Sequence, residues 1–315
     1  MNGMRGGNDL KRRVLNIGSL NMDMVIGMQY MPLEGETVLG DSLTYIPGGK
    51  GANQACAAAK LGGDVVMLGC VGEDSMGEAL LGSLQECGAD ISHIRTVQEA
   101  PTGTAVIYVN ARGDNSIVVV GGANNFCSVA YLQEHDLLFQ QAEYIMLQME
   151  IPYDAVFYAI RRASELKKTV ILNPAPAPDT LPEEIWEKVD YITPNETELL
   201  RLSGQKEMSM EAIHAGADRL LARGVGHVLV TLGDKGVFYK DRREEWFCPT
   251  RTVTAVDTTA AGDCFNGAFV TALAEGHPIR QAAEFANIAA SIAVTRKGAQ
   301  KSIPLRSEVD ALISL

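Results

Sequence analysis

The chain has 315 residues, with 39 acidic against 27 basic side chains and a formal net charge of −12. Its one basic cluster, Lys11-Arg12-Arg13, is no substitute for a concentrated positive face, which makes nucleic acid a poor partner. No run approaches the roughly 18 apolar residues of a membrane-crossing helix. The six cysteines at 56, 70, 87, 127, 248 and 264 lack C-x-x-C spacing and read as reduced thiols of a cytoplasmic protein. The five histidines have no metal-ligand spacing.

Residues 1–12 read as a disordered leader. Lys11-Arg12-Arg13 before Val14-Leu15 looks like the start of a signal peptide, but Asn16, Asn21 and Asp23 break the apolar run and no cleavage site follows. Residues 13–315 then read as one large α/β domain. Val14 to Gly18 is a buried first strand. Beyond it Asn21 and Asp23, two apart, point to the same side, either to bind a ligand at a strand end or to satisfy turn amides. Residues 36–46, 104–109 and 116–120 read as strands, the last two joined by a hairpin connection over 110–115. Without helices between paired members, these strands predict an antiparallel β lid made of about 19–48 and 100–122. Segments 106–109 and 117–120 are apolar on both faces, so the lid's outer face is expected to be covered as well.

Between the lid segments, Gly48-Gly49-Lys50-Gly51-Ala52-Asn53-Gln54 opens an Ala-rich helix that ends at Gly62-Gly63. Lys50 and Asn53 are aimed together from its first turn, and the glycines let a ligand approach the backbone. A plain loop-to-helix junction would account for the glycines but not for the Lys and Asn together. The segment is neither a Walker A loop nor a dinucleotide fingerprint. From residue 64 strands and helices alternate, the pattern of a mostly parallel sheet with helices on both faces. Glu150, Asn173, Asn195 and Glu198 follow strand ends, and Asn195 with Glu198 also has capping-box spacing. Thr231-Leu232-Gly233-Asp234-Lys235-Gly236 reads in isolation as a hairpin turn.

Last in order comes Asp257-Thr258-Thr259-Ala260-Ala261-Gly262-Asp263-Cys264-Phe265-Asn266-Gly267, a turn of small residues opening into an apolar helix. Its unpaired first-turn amides and helix dipole suit an anion. Asp263 could there accept a proton from a hydroxyl attacking a phosphoryl group. Gly267, one turn on, would leave room for a substrate. The alternative is that Asp257 or Asp263 simply caps or stabilises the helix N-terminus.

The glycine-rich helix start followed by Gly62, Gly63 and Gly72, together with the DTTAAGDCFNGAF stretch, closely resembles the ribokinase-like carbohydrate kinases from about Val14 to the C-terminus. The resemblance implies an α/β fold, a mostly parallel sheet with helices on both faces and a small antiparallel β lid, and a homodimer formed through that lid. It implies ATP-dependent phosphorylation of D-ribose at O5, giving D-ribose 5-phosphate and ADP, with Mg²⁺ and K⁺. Asp263 would be the base, and the amides of Ala260, Ala261 and Gly262 the anion hole. Asn21, Asp23, Gly49, Lys50, Asn53 and Glu150 would contact the sugar. Asn195, Thr231, Gly233, Asp234, Gly236 and Asn287 would form the nucleotide side, with Glu198 near Mg²⁺. K⁺ would be held by the Asp257 carboxylate and by oxygens of Thr259, Ala293, Arg296, Gly298 and Ser302. Rival readings are a 2-deoxyribose or nucleoside kinase of the same family, and a non-catalytic sugar-binding regulatory module. The intact Asp263 segment argues against the module. Cys264 reads as a packing residue.

Overall fold

The first strand, β1 (Val14–Ile17), is buried at all four positions, and it lies inside an eight-stranded sheet rather than at its edge. The computed structural model describes residues 12–313, so the expected leader lies, apart from Arg12, outside the described residues. After β1 the chain leaves the main sheet as β2 (Asn21–Met28) and β3 (Gly40–Gly48), then returns through α1 (Lys50–Lys60) to β4 (Val65–Leu68). The short β5 (Cys70–Gly72), α2 (Ser75–Cys87) and β6 (Arg95–Val97) precede a second excursion, β7 (Gly103–Asn110) and β8 (Asn115–Val120). Helices α3 (Val129–Glu134) and α4 (Asp136–Gln141) lead back to β9 (Tyr144–Leu147). The alternation continues with α5 (Tyr153–Glu165), β10 (Thr169–Leu172), α6 (Glu183–Trp186), β11 (Tyr191–Ile192), α7 (Glu196–Ser203), α8 (Met210–Ala222) and β12 (His227–Thr231). The hairpin β13 (Gly236–Lys240) and β14 (Glu245–Pro249) is followed by α9 (Ala261–Ala274), α10 (Ile279–Ala293) and α11 (Arg306–Ile313).

The main sheet has the order β14-β13-β12-β11-β10-β9-β1-β4. Pairing is parallel from β4 to β12 and antiparallel through the terminal hairpin. Because side chains alternate across a strand, each strand feeds two cores. Leu15, Ile17, Ile145, Leu147, Val228 and Val230 join the layer containing α5, α7 and α8. Val14, Tyr144, Met146 and Leu229 join the layer containing α1, α9 and α10. Both faces being covered explains why the strands read as continuous apolar runs.

The second sheet has the order β3-β2-β7-β8. It consists of two antiparallel hairpins whose inner strands, β2 and β7, pair in parallel. Among the described residues nothing covers its far edge: every residue of β8 is exposed, and Ile117, Val118, Val119 and Val120 each keep more than half of their surface open.

Two sequence expectations are corrected. Cys56 and Cys87 form a disulfide between α1 and α2, with Cα atoms 5.2 Å apart, so not all six cysteines are reduced thiols. Helix packing brings them within bridging reach from 31 residues apart, which no short spacing rule encodes. The remaining four are free and buried. Gly267 does not open space for a substrate. A Cβ there would lie 2.5 Å from Ala57 Cβ and 2.6 Å from Gln54 O, so this glycine lets α9 cross close against α1.

Candidate active site

That close crossing brings the first turns of α1 and α9 together at the end of β1. Gly49 precedes α1 with φ 87°, and a Cβ would come within 2.6 Å of Asn21 N, so only glycine fits there. From α1, Asn53 Nδ2 donates to Asp263 Oδ2 and Gln54 Nε2 donates to Asp263 Oδ1, both at 3.0 Å. Asp263 is 8% exposed. Burial raises its pKa; Lys50, Gln54 and Asn53 pull back, and Glu150 adds to the rise. Neither Asp263 nor Asp257 makes a side-chain cap for α9, while Asp263 does stand in its first turn, where a carboxylate stabilises a helix end. The Cys264 thiol next to Asp263 is pushed up to about 12 by burial and by that carboxylate, as befits a packing residue.

The sugar-side candidates surround Lys50. Its Nζ lies 3.7 Å from Glu150 Oε1, while Glu150 Oε2 accepts from Ser19 Oγ at 2.6 Å and from the Lys50 amide at 3.2 Å. Burial lowers the Lys50 pKa, but Asp263, Glu150, Glu198 and Asp23 outweigh it and leave a net rise. Asn21 and Asp23 share one face at the start of β2; Asn21 Oδ1 accepts from Asn124 Nδ2 at 2.8 Å. The Asp23 carboxylate lies against Gly48, where a Cβ would fall 2.3 Å from Oδ2. Burial first, then Glu150 and Asp263, raise Asp23 to about 7 against the pull of Lys50. Asn53 Oδ1 is buried without a partner, leaving an acceptor for a ligand hydroxyl.

On the other side of Asp263 a cavity of about 190 Å³ is lined by Lys50, Asn195, Glu198, Thr231, Ala260, Ala261 and Gly262 among others. Ala260 adopts φ 60°, a left-handed conformation uncommon for a non-glycine residue. It turns the chain so that α9 starts at the cavity wall. The Ala261 amide reaches Thr258 O at 3.2 Å, whereas the Gly262 and Asp263 amides have no intrahelical acceptor this early in a helix. A neighbouring cavity of about 400 Å³ shares Asn195, Thr231, Ala261 and Gly262 and adds Gly233, Gly236 and Asn287. Asp234 is in the same short turn, Gly233–Lys235, but does not line that cavity. Asn195 and Glu198 do form a capping box, each accepting the other's amide at 2.9 Å. Burial nevertheless raises the Glu198 pKa, with the Asn195 amide and Lys50 opposing, and the residue still faces the smaller cavity.

The Asp257 group stands apart. Asp257 Oδ1 accepts from Thr259 N and Oδ2 from Gly298 N, both at 2.9 Å. Burial raises its pKa, but those bonds and Lys297 more than reverse the effect. The Ala293 carbonyl accepts from Arg296 N at 3.0 Å, the Arg296 side chain turns away to Glu308, and Ser302 Oγ donates to Ala299 O at 2.8 Å. Among the described residues, no group of three His, Cys, Asp or Glu side chains could hold a metal alone.

Sequence reasoning missed several polar residues of the site. Gln54, Gln148, Asn16, Ser19 and Asn124 are buried in it, and Thr193 Oγ1 and Asn266 Oδ1 are buried without partners beside the smaller cavity. The available signal was polarity out of place: Asn16 inside a four-residue buried strand, and Gln148 directly after another.

A buried carboxylate at the start of a helix, beside a cavity walled by that helix's first turn, is the kind of arrangement that phosphoryl transfer uses. The model of the pfkB family carbohydrate kinases matches residues 11–306, and the chain belongs to that family. Within it, the chain is 42% identical to the ribokinase of Bacillus subtilis, over 96% of this chain and all of that protein. It is 36% identical to the deoxyribokinase of Salmonella typhi, over 95% and 98%. The solved Arabidopsis thaliana ribokinase, complexed with ribose and ATP, superposes with a TM-score of 0.91 at 33% identity, covering 97% of this chain and all of that one.

Proposed function

We propose that this chain is a cytoplasmic ATP-dependent kinase of D-ribose, transferring the γ-phosphoryl group to O5, with one kinase domain from residue 13 and a lid of about 19–48 and 100–122. The observation that carries the reading is Asp263, a buried carboxylate held by Asn53 and Gln54 at the junction of the Lys50 recess and the α9 amides. Asp23, Glu150 and Asn53 Oδ1 accept from sugar hydroxyls, while Lys50, Asn21 and the Gly49 backbone complete the pocket. O5 then points at Asp263, which takes its proton as the bond to phosphorus forms. The Gly262 amide receives the charge on the transferred group, aided by its neighbours at Ala260 and Ala261, the latter sharing its N–H with Thr258 O. Asn195, Thr231, Gly233, Gly236 and Asn287 hold the nucleotide, and Asp234 borders it. Closure of the lid, which carries Asn21 and Asp23, excludes the water that would otherwise take the phosphoryl group.

Two cations fit the residues present. Glu198 offers a carboxylate beside the phosphate cavity for nucleotide-bound Mg²⁺. The all-oxygen set of Asp257, Thr259, Ala293, Arg296, Gly298 and Ser302 suits K⁺, since the Asp257 oxygens accept from backbone N–H groups and each carbonyl keeps a second lone pair. When bound, these ions neutralise charge on the phosphates and on the turn before α9. Rates in potassium chloride equal to those in choline chloride would remove the second site.

The relatives include both a ribokinase and a deoxyribokinase. Ribose is preferred here because a pocket built around a hydroxyl leaves its partners unpaired when that hydroxyl is missing. ADP release measured across D-ribose, 2-deoxyribose and nucleosides tests the reading. Equal kcat/KM for the two sugars defeats the ribose assignment, and no release with any of them defeats the kinase.

A further inference from the structure

Behind Asp263 lies a row of buried side-chain amides that the proposed reaction does not use directly. Asn16, Gln54 and Gln148 are each fully buried. Gln148 Nε2 donates to Gln54 Oε1 at 2.7 Å and to Asn16 Oδ1 at 3.0 Å. Asn16 Nδ2 is committed in turn to Gly51 O at 2.7 Å. Gln54 Nε2 donates both to Asp263 Oδ1 at 3.0 Å and to Asn173 Oδ1 at 3.1 Å, and Asn173 Nδ2 continues to Thr193 O at 2.9 Å.

These bonds run in one direction. An amide has a donor end and an acceptor end. Once Gln148 offers N–H to Gln54 Oε1, the Gln54 NH₂ group has to face Asp263. The reverse orientation would set carbonyl oxygen against carboxylate. Gln148 is itself oriented by Asn16, whose Nδ2 is committed to Gly51 O so that its Oδ1 calls for an N–H; the Oε1 end lies where a Cβ on Gly18 would be, 1.9 Å away. Glycine at 18 thus makes room for an amide whose NH₂ end must point at Asn16 and Gln54.

We infer that Gln148 is a positioning residue for the phosphoryl transfer, fixing the polarity of Gln54 so that Asp263 receives an N–H on each carboxylate oxygen and holds its orientation toward the attacking hydroxyl. This rests on Asp263 being the base. Gln148 reaches Asp263 through Gln54, to which it donates and which in turn donates to the carboxylate. A misplaced catalytic group costs rate rather than ground-state affinity.

The test uses the full chain in four forms: wild type, Gln148→Leu, Asp263→Asn and the double variant, each measured for kcat, ribose Kd by calorimetry and melting temperature. Gln148→Leu should lower kcat about 10- to 100-fold while ribose Kd moves less than about threefold. In the Asp263→Asn background the same change should cost less than about twofold in kcat, because residues acting through one group are non-additive. Gln148→Met, closer in length, replaces Gln148→Leu if the latter does not fold. Folding lost in both would make the row a stability element and overturn the inference. Equal loss of kcat in both backgrounds, or loss of ribose affinity in step with kcat, would overturn it too. Asp263→Asn with normal kcat would sink the base assignment. Gln148→Leu with normal kcat beside a slow Asp263→Asn sinks only the role of Gln148.

Discussion

Replacing Asp263 with Asn perturbs two quantities that the structure allows to be weighed. Asp263 accepts one N–H on each oxygen, from Asn53 and Gln54, whereas Asn has a single acceptor oxygen. One donor therefore loses its partner in a site only 8% exposed, at a cost of about 1–3 kcal/mol. The opposing effect has the sign of a raised carboxylate pKa. Such a group favours the fold at low pH and loses that contribution as pH rises through its folded pKa. Ionising this buried carboxylate is thus a burden that Asn does not carry. The two effects oppose, and the melting temperature should move by less than about 5 °C. Chemistry has no such compensation. Without a proton acceptor kcat should fall about 10²–10⁴-fold, equivalent to roughly 3–5 kcal/mol of barrier, while ribose affinity changes by less than about threefold. ADP release, ribose calorimetry and a thermal melt on the one variant suffice. A stable, sugar-binding Asp263→Asn protein with near-normal kcat refutes the mechanism.

Three further outcomes follow from the geometry. Gly267→Ala drives a Cβ to 2.5 Å from Ala57 Cβ and should cost about 1–3 kcal/mol by denaturant melt, with kcat falling as α1 shifts; unchanged stability would show that the helix crossing is not tight. With Asp23 at about 7 in the sugar-free site, ribose binding to the ionised form should weaken below that pH by up to about tenfold per unit and release protons. Calorimetry in buffers of different ionisation enthalpy reads this, and a flat affinity from acid to neutral pH counts against Asp23 as an acceptor. For ligand-free stability, the same raised group contributes fully below 3.8 and loses its contribution as pH rises through about 7. The exposed Ile117 and Val119 lie on the lid face that continues from Asp23, since Asp23, Ala105 and Val119 are in register. A second chain's lid would cover them, so light scattering should give twice the chain mass for wild type and a single-chain mass for Val119→Lys; wild type already at one chain removes the lid dimer.

Local chemistry in the sequence determined a good deal. Continuous apolar strands alternating with helices specified a covered parallel sheet, because only strands buried on both faces lack alternation. The small-residue turn before Asp263 and the Gly49-Lys50-Gly51 start each announced an accessible helix end, since glycine and alanine leave first-turn amides uncrowded. What the sequence could not carry was which helix ends meet. Asn53 and Asp263 are 210 residues apart, and their contact depends on Gly267 letting α9 cross against α1, so a residue that read locally as room for a substrate is a packing contact. The Cys56–Cys87 bridge escaped for the same reason, being set by how α2 lies on α1. The direction of the Gln148 and Gln54 amides belongs wholly to the tertiary structure. A glutamine has no polarity along the chain, and it acquires one only when buried neighbours from separate strands and helices leave a single way to satisfy its two ends.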